Sequence, residues 1–286
     1  MDLLSSMFIV IITVAMSAQN VIKKGYNKKS EGKGVFTFSG VTVLTACIFF
    51  VVKSGFYLPF GFEMLPFAIG FAVCYFCASV FNFLAIQAGP LSLTSLAVSY
   101  SLIIPTLYGL IFDGDEAGIW LFVGLGLLLV SLVLINAKKG DTKITLKWAV
   151  YAVLALVGNG LCSTLQPLQS RIFGGEYDST FMVVALLSVF LGLAAFAYFH
   201  EREEILPSLK CGAHLMVLCG IANGLVNLLV MVVSKTVDNS VMFPIISAGG
   251  IVVTWIVSTF FYKEKLTLKQ NVGMVLGVLA IVFLNI

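Results

Sequence analysis

The sequence predicts an all-α, polytopic membrane protein of ten transmembrane helices, built as two inverted five-helix repeats. Composition, long uncharged runs and a likeness between the two halves support this fold class. Of 286 residues, 59% are hydrophobic and 11% are charged, whereas soluble proteins carry about 25% charged residues. The net charge of +3 is too small to indicate a nucleic-acid partner. The composition therefore excludes an ordinary soluble domain, a disordered chain and a disulfide scaffold.

The long apolar runs are the evidence for the helices. A bilayer core of about 30 Å requires roughly 20 apolar residues per helix, and in lipid a helix satisfies its own backbone hydrogen bonds. The chain starts Met1-Asp2 without a basic region, so we expect the first segment to be a retained helix and not a cleaved signal. The predicted spans are 2–22, 35–53, 63–88, 92–112, 117–137, 146–170, 178–199, 211–234, 240–262 and 268–286.

The distribution of cations predicts the orientation. Ten spans place fourteen of the 17 Lys and Arg on one side and Lys53, Arg171 and Lys235 on the other. The cation-rich side is expected to be cytoplasmic, which places both termini outside. The cell membrane that we expect is a bacterial inner membrane. The fourteen are Lys23, Lys24, Lys28, Lys29, Lys33, Lys138, Lys139, Lys143, Lys147, Arg202, Lys210, Lys263, Lys265 and Lys269.

The two halves of the chain resemble each other. A shift of 149 residues aligns six identical residues over positions 112–136, and it places Asp115 on Glu264. We therefore predict one repeat over residues 1–140 and a second over 141–286. Five spans is an odd number, so the second repeat enters the membrane the other way up, as in many secondary transporters. The identical pairs are Phe112/Phe261, Val123/Val272, Gly124/Gly273, Leu127/Leu276, Val133/Val282 and Asn136/Asn285.

A polar motif joins the last two predicted helices: an apolar helix is followed by Glu264-Lys265-Leu266-Thr267, then Gln270 and Gly273, and a closing apolar helix. The first half carries a degenerate copy from Phe112 to Glu116. These motifs resemble the ten-helix, EamA-like members of the drug/metabolite transporter superfamily, and residues 85–90 resemble that family's turn between its third and fourth helices. This resemblance implies a duplicated transporter fold and favours export.

The segment from Pro244 onward also resembles the small multidrug resistance proteins, which correspond to a single repeat. Those exporters rely on a membrane-embedded glutamate in the first helix. This chain has Gln19 and Asn20 in its first span and Gln166 in its sixth, all of them neutral. The departure argues against proton-driven export of cationic drugs.

Neutral polar residues form stripes on three predicted helices. Amides cannot face lipid cheaply, because each unsatisfied polar group there costs several kcal/mol. We expect the stripes to line a wetted cavity between the halves, while ordinary interhelical hydrogen bonding is the alternative for any single residue. Spaced on one helical face, the stripes are Thr13, Ser17, Asn20 and Lys24; Asn159, Ser163, Gln166 and Ser170; and Gly220, Asn223, Gly224 and Asn227.

Two aromatic residues complete the predicted site. Tyr100 falls opposite Gly249 under the same shift, and Trp255 lies six residues further on. Each could form a wall of a pocket for a planar or zwitterionic solute, although a core or interfacial position is the alternative for Trp255. The predicted substrate-binding residues are Asn20, Tyr100, Asn159, Gln166, Asn223, Asn227 and Trp255.

Glycine and proline mark further features of the predicted helices. The pairs Gly220/Gly224 and Gly273/Gly277 allow close helix approach; for the second pair, intramolecular packing and a homodimer are both open. Pro167 lies in a polar stripe, where it is expected to kink the helix.

No cofactor or metal is predicted. Cys74 and Cys77 have redox or metal spacing but lie on an apolar helix, and His200 and His214 have no partner ligands nearby in the sequence. No phosphate-binding loop with a Lys-Ser/Thr pair is present, so nothing indicates an ATP motor. The partners that we expect are membrane lipids and a small polar organic solute, with no nucleic acid.

The function that we predict is secondary transport, with no enzymatic activity. A small polar metabolite such as an amino acid would pass by alternating access through a neutral polar cavity, as an exporter or exchanger. One alternative is a multidrug efflux transporter of the same superfamily. A second is an integral-membrane enzyme acting on a lipid-borne substrate, for which His200, Glu201, Glu203 and Glu204 would be the acid–base residues; a solvated loop face is the simpler interpretation of that group.

Overall fold

A computed structural model describes residues 3–88, 100–114, 118–136, 145–260 and 268–284 of the chain. Within these ranges the structure contains ten α-helices and no β-strand. The helices are α1 (Leu3–Lys29), α2 (Val35–Lys53), α3 (Leu65–Ala88), α4 (Ile103–Tyr108), α5 (Ile119–Asn136), α6 (Leu146–Ile172), α7 (Asp178–His200), α8 (Ile205–Val233), α9 (Asn239–Phe260) and α10 (Leu268–Leu284).

Six helical segments of the described chain are long and apolar enough to cross a membrane. They are Leu3–Lys23, Val35–Lys53, Phe62–Asn82, Leu146–Ile172, Asp178–His200 and Ile205–Val233. Three shorter apolar segments are Tyr100–Asp113, Ile119–Ser131 and Asn271–Ala280. The all-α class is confirmed, while the full set of ten crossings and the inverted insertion remain predictions.

The fourth predicted span, 92–112, is not one regular helix in its described part. A 3-10 turn (Tyr100–Leu102) precedes α4, and a π-helix (Gly109–Asp113) follows it. Pro105 lies in the first turn of α4, where its missing N–H would lack an intrahelical acceptor in any case. A π-turn lets the helix widen where an ordinary hydrogen-bond ladder is interrupted.

The predicted start of the eighth span at residue 211 is wrong, because α8 begins at Ile205. Pro207 is tolerated there since it occupies the first turn, and the backbone leaves helical geometry at Gly212, with φ −149° and ψ 21°. The apolar run used for the prediction begins next to this kink. The stretch before it is interrupted by Pro207, Ser208 and Lys210, so the apolar run alone did not mark it as part of the helix.

The described residues divide into two compact units. Unit 1 comprises Met1–Thr13, Cys77–Thr164 and Val233–Ile286, and unit 2 comprises Val14–Phe76 and Leu165–Val232. Each unit therefore draws on both halves of the sequence. The two units are defined by contacts between residues, so they do not correspond to the two repeats predicted from the sequence.

Unit 2 is built around α2 and α7, which pack along each other. Large apolar side chains such as Phe50, Phe181 and Leu186 are fully buried in it, and the rings of Phe71 and Phe181 meet edge to face, with centroids 5.5 Å apart. Such pairs contribute beyond their buried area. The unit thus has a dense core of its own.

Unit 1 is built around α5, α9 and α10. Leu128, Ala248 and Ala280 form a buried cluster from these three helices. Ser131 Oγ donates a hydrogen bond of 2.6 Å to the carbonyl of Gly273, and Gly273 and Gly277 are both buried. This face of α10 therefore packs within the chain; a homodimer through the same helix stays a prediction.

The glycines of α8 confirm the predicted close approach of two helices. A Cβ at Gly220 would lie 2.6 Å from the carbonyl oxygen of Thr42, and a Cβ at Gly224 would lie 2.6 Å from a ring carbon of Phe49. Both neighbours belong to α2. The absence of side chains at these two positions lets α8 pack tightly on α2. This packing positions Asn223 and Asn227, which lie on the same helix, in the interior of unit 2.

Candidate functional site

Four side-chain amides meet in the interior of unit 2. Gln19 comes from α1, Gln166 from α6, and Asn223 and Asn227 from α8. Gln19, Gln166 and Asn227 are buried, and Asn223 is half-buried. We call these four residues the amide cluster.

Hydrogen bonds connect the amide cluster from one helix to the next. Gln166 Nε2 donates to the backbone carbonyl of Asn227 at 2.8 Å. Asn227 Nδ2 donates to the carbonyl oxygen of Asn223 at 2.8 Å and to its Oδ1 at 3.1 Å. Asn223 Nδ2 in turn lies 3.4 Å from Gln19 Oε1. This last contact is longer than an ordinary N–H···O bond, so it is the weakest connection of the cluster.

The amide cluster is uncharged, and each of its side chains can both donate and accept hydrogen bonds. Each amide offers two N–H donors and one carbonyl acceptor, so the same group can receive an ammonium or hydroxyl and donate to a carboxylate. The cluster itself contains no charge that would favour a cation over an anion. It is suited to a small solute that carries donors and acceptors close together.

Three of the seven predicted site residues, Gln166, Asn223 and Asn227, therefore lie together. Asn159 and Tyr100 belong to unit 1. Asn159 Nδ2 donates to Ser101 Oγ at 2.6 Å, and Tyr100 packs against the cluster of Leu128, Ala248 and Ala280. The side chains of the remaining two, Asn20 and Trp255, lie outside the residues that the structure describes.

Gln19 is a residue that the predicted site left out. Spacing along the first span selected Asn20 because it continues the face of Thr13 and Ser17. Thr13 and Ser17 are indeed buried, but the Thr13 hydroxyl donates to the Ile9 carbonyl within its own helix. The Gln19 side chain reaches Asn223. Its own neutrality and length were the signals that could have identified it.

Not all of the acidic residues that follow α7 face solvent. Glu201 is 8% exposed, and its Oε1 accepts the backbone N–H of Phe36 at 3.0 Å. Its Oε2 accepts the backbone N–H of Thr37 at 2.9 Å and the Thr37 hydroxyl at 3.1 Å. We call these contacts the Glu201 junction. A carboxylate at a helix N-terminus satisfies free N–H groups and opposes the helix dipole, so Glu201 has a structural role at the start of α2.

The backbone before α2 adopts a conformation that places the first turn of α2 next to Glu201. Gly34, the residue before the helix, has φ +67°, a conformation that glycine adopts without strain. A Cβ at this position would also collide with the side chain of Ser208. The Tyr26 hydroxyl, shared between two acceptors, donates to the carbonyls of Lys33 and Gly34, each at 3.2 Å.

Polar contacts also connect the opposite ends of the helices in unit 2. The Thr180 hydroxyl donates to the carbonyl of Pro59 at 2.7 Å, and the Tyr177 hydroxyl donates to Glu63 Oε1 at 3.4 Å. Desolvation, together with the carboxylates of Glu176 and Glu63, raises the pKa of Tyr177. The tyrosine is therefore a neutral hydrogen-bond donor at neutral pH.

These observations define a helical bundle whose long apolar segments and buried neutral amides are typical of polytopic membrane proteins. The sequence model of the EamA-like transporter family matches residues 150–286. This stretch, the second half of the chain, is thus similar to the EamA-like transporter family, part of the drug/metabolite transporter superfamily. The predicted resemblance is confirmed at this level, while the duplicated ten-helix arrangement stays a prediction.

One solved structure, whose title reads only "Crystal structure of protein", shares the fold. It superposes with a TM-score of 0.76 at 13% sequence identity, over 98% of this chain and 98% of that chain. At this identity the likeness concerns the fold alone. A sequence comparison with curated proteins gives no match.

Proposed function

We propose that this protein is a secondary transporter that moves a small polar organic solute, such as an amino acid, by alternating access. The family match supports the class of transporter. The amide cluster supports the solute class, because its four neutral side chains present both donors and acceptors in a buried part of unit 2. The amide cluster is the observation that carries the proposal.

The proposed role of the amide cluster is exchange of hydrogen bonds with the solute. A solute that replaces the long contact between Asn223 and Gln19 meets one freed donor and one freed acceptor. An α-amino acid offers a carboxylate for the Asn223 amide and an ammonium for the Gln19 carbonyl. A site built to form such bonds rejects analogues that lack them, because its own polar groups are then left unpaired.

Uptake by proteoliposomes tests this assignment. Gln166→Ala and Asn223→Ala are expected to lower transport of the accepted solute at least about fivefold, since each removes a buried hydrogen-bonding group worth roughly 1–3 kcal/mol. Asn271→Ala is the matched control, because Asn271 is an exposed amide on α10. Unchanged transport by both variants of the cluster would remove these residues from the site.

A competition assay separates the proposed solute class from multidrug efflux. Unlabelled amino acids and other small polar metabolites are expected to compete with the transported solute, whereas a lipophilic cation such as tetraphenylphosphonium is not. The physical reason is that the amide cluster contains no carboxylate to replace the hydration of a cation. Strong competition by the lipophilic cation alone would favour efflux of drugs.

The direction and orientation are further parts of the proposal. The asymmetry of fourteen cations to three supports a cytoplasmic location of the cation-rich loops in a bacterial inner membrane, with both termini outside. The family resemblance supports export or exchange. Labelling of cysteines introduced at Lys33 and at Lys53 with a membrane-impermeant maleimide tests the orientation: Lys53→Cys should react in intact cells and Lys33→Cys should not.

A further inference from the structure

The segment that connects α2 to α3 in unit 2 exposes four aromatic side chains. Within residues 54–62, between 53% and 79% of the surface of Phe56, Tyr57, Phe60 and Phe62 is exposed. The rings of Phe60 and Phe62 meet edge to face, with centroids 5.3 Å apart, so part of this apolar surface is continuous. Exposed apolar patches mark interaction sites. We call residues 54–62 the aromatic loop.

The turn that ends α2 holds Phe56 away from the helix. Two backbone hydrogen bonds close this turn, from Gly55 to the carbonyl of Val52 at 3.0 Å and from Phe56 to the carbonyl of Val51 at 3.1 Å. With φ +61° at Gly55, they form a Schellman motif, in which the residue at the Phe56 position commonly packs back on the helix. Phe56 is instead exposed, and its own φ of +64° is a strained conformation for a bulky side chain. Strain of this kind persists where the surrounding structure fixes the backbone.

Contacts with the start of α7 fix the later part of the aromatic loop. The Thr180 hydroxyl donates to the carbonyl of Pro59 at 2.7 Å. A Cβ at Gly61 would lie 2.8 Å from a ring carbon of Tyr177, so the loop backbone lies directly on that ring. A loosely held loop could fold its aromatic side chains back onto the protein. This loop is held at its beginning and at its end, so its exposed rings are presented to an external partner.

The position of the loop in the chain indicates which partner is available. It connects two segments that are long and apolar enough to cross a membrane, Val35–Lys53 and Phe62–Asn82. Residues 54–61 lie between them, and four extended residues reach at most about 14 Å. The tip of the loop therefore stays near the membrane surface, where the headgroup layer is roughly 5–7 Å thick on each side. Aromatic side chains accumulate in this layer, because it accommodates both their apolar rings and their polar groups.

We propose that the aromatic loop is an anchor that binds phospholipids at the membrane surface, in the leaflet at the Lys53 end of α2. The rings of Phe56, Phe60 and Phe62 insert below the headgroups, and the Tyr57 hydroxyl stays among them. The anchor fixes the depth of unit 2 in the bilayer. Lipid binding at this loop requires no solute, so it goes beyond the proposed transport function and is independent of it.

Photocrosslinking identifies the partner of the aromatic loop. The full-length protein, with p-benzoyl-phenylalanine in place of Tyr57, is reconstituted in vesicles of phosphatidylethanolamine and phosphatidylglycerol and irradiated without any solute. We expect intact-mass spectrometry to detect an adduct heavier by one phospholipid. The matched control carries the same group in place of Glu31, an exposed residue of the turn at the other end of α2. Residues 30–34 of that turn include no aromatic residue, so its lipid adduct should be at least about tenfold less abundant.

Serine variants test whether the neighbouring rings hold the loop in lipid. Phe60→Ser combined with Phe62→Ser is expected to lower the adduct yield at position 57 about fivefold, because two apolar rings no longer favour the membrane. Phe199→Ser is the control, since Phe199 has a similar exposure and lies near the opposite end of α7. This variant should leave the adduct yield unchanged.

Four results would overturn the anchor. A crosslinked dimer of the chain in place of the lipid adduct would identify a second copy as the partner, and no adduct at position 57 would place the loop in water. Equal lipid adducts at positions 57 and 31 would mean that nearness to the membrane alone explains the crosslink. An unchanged yield in the double serine variant would mean that the rings do not hold the loop. If that variant fails to fold, the ratio of the adduct yields at positions 57 and 31 decides.

Discussion

Unit 2 buries two kinds of polar group, at the Glu201 junction and in the amide cluster. The Glu201 carboxylate is charged, and three donors from the first turn of α2 fill its two oxygens. The amide cluster is neutral, draws on three helices, and includes a contact as long as 3.4 Å. One arrangement is saturated and local to a helix end, and the other is loosely connected across the unit.

The difference separates a structural role from a binding role. A buried charge whose donors are fixed backbone N–H groups has no better alternative partner, so it holds the α2 N-terminus in place. Amides that bond partly to backbone carbonyls and partly to each other's side chains can exchange the side-chain partners at little cost, because each keeps both donors and an acceptor. We therefore expect variants of the first kind to change stability, and variants of the second kind to change transport.

The largest effect is expected for Glu201→Ala. It leaves two backbone N–H groups and the Thr37 hydroxyl without their acceptor, at about 1–3 kcal/mol for each unsatisfied group. We predict a loss of roughly 3 kcal/mol in the free energy of unfolding, with transport per folded molecule unchanged. Thermal unfolding in detergent and uptake normalised to folded protein measure the two quantities. A stable variant with impaired transport would reverse the assigned role.

The next effect concerns the packing that carries the amides of α8. Gly220→Ala is expected to cost about 1–3 kcal/mol, because the new Cβ meets the backbone carbonyl of Thr42, which cannot rotate away. Gly224→Ala should cost less, since its Cβ meets the Phe49 ring, a side chain that can move. The same unfolding assay ranks the two variants. Equal costs would mean that the Phe49 ring is as fixed as the backbone.

Gln19→Ala tests the binding role that is assigned to the amide cluster. It removes the acceptor at the weakest connection, so we expect a stability change of about 1 kcal/mol or less together with a fall in transport of about tenfold. Proteoliposome uptake measures the second effect, with Asn271→Ala as the exposed amide control. A large loss of stability with normal uptake would place Gln19 among the structural residues.

The smallest effect is expected for Lys33→Met, next to the Glu201 junction. Lys33 Nζ lies 3.6 Å from Glu204 Oε1, and the two side chains are 64% and 36% exposed. Exposed ion pairs contribute about 0–1 kcal/mol and are screened by salt. We predict a change below about 0.5 kcal/mol, measured by unfolding at low and high salt. A larger cost would indicate that the pair helps to hold Glu201.

Several features could be predicted from the sequence because they depend on local pattern. The apolar runs determined α2 and α7 almost to the residue, and the spacing of Gly220 and Gly224 predicted a close helix contact. The neutral residues at positions 166, 223 and 227 were selected by helical spacing and lie together in unit 2, while the cavity between the halves that they were expected to line stays a prediction. Each of these properties follows from hydropathy, helical periodicity or the absence of a side chain.

The tertiary structure decided which polar residues meet. Periodicity groups Thr13 with Ser17, but it does not say which neighbouring helix a face meets, so the contact of Gln19 with Asn223 on α8 was not predicted. Glu201 looks like a solvated residue at a span end. Its burial depends on donors that the folded chain brings to it, and those donors lie more than 160 residues away in sequence. A linear pattern carries no record of such contacts.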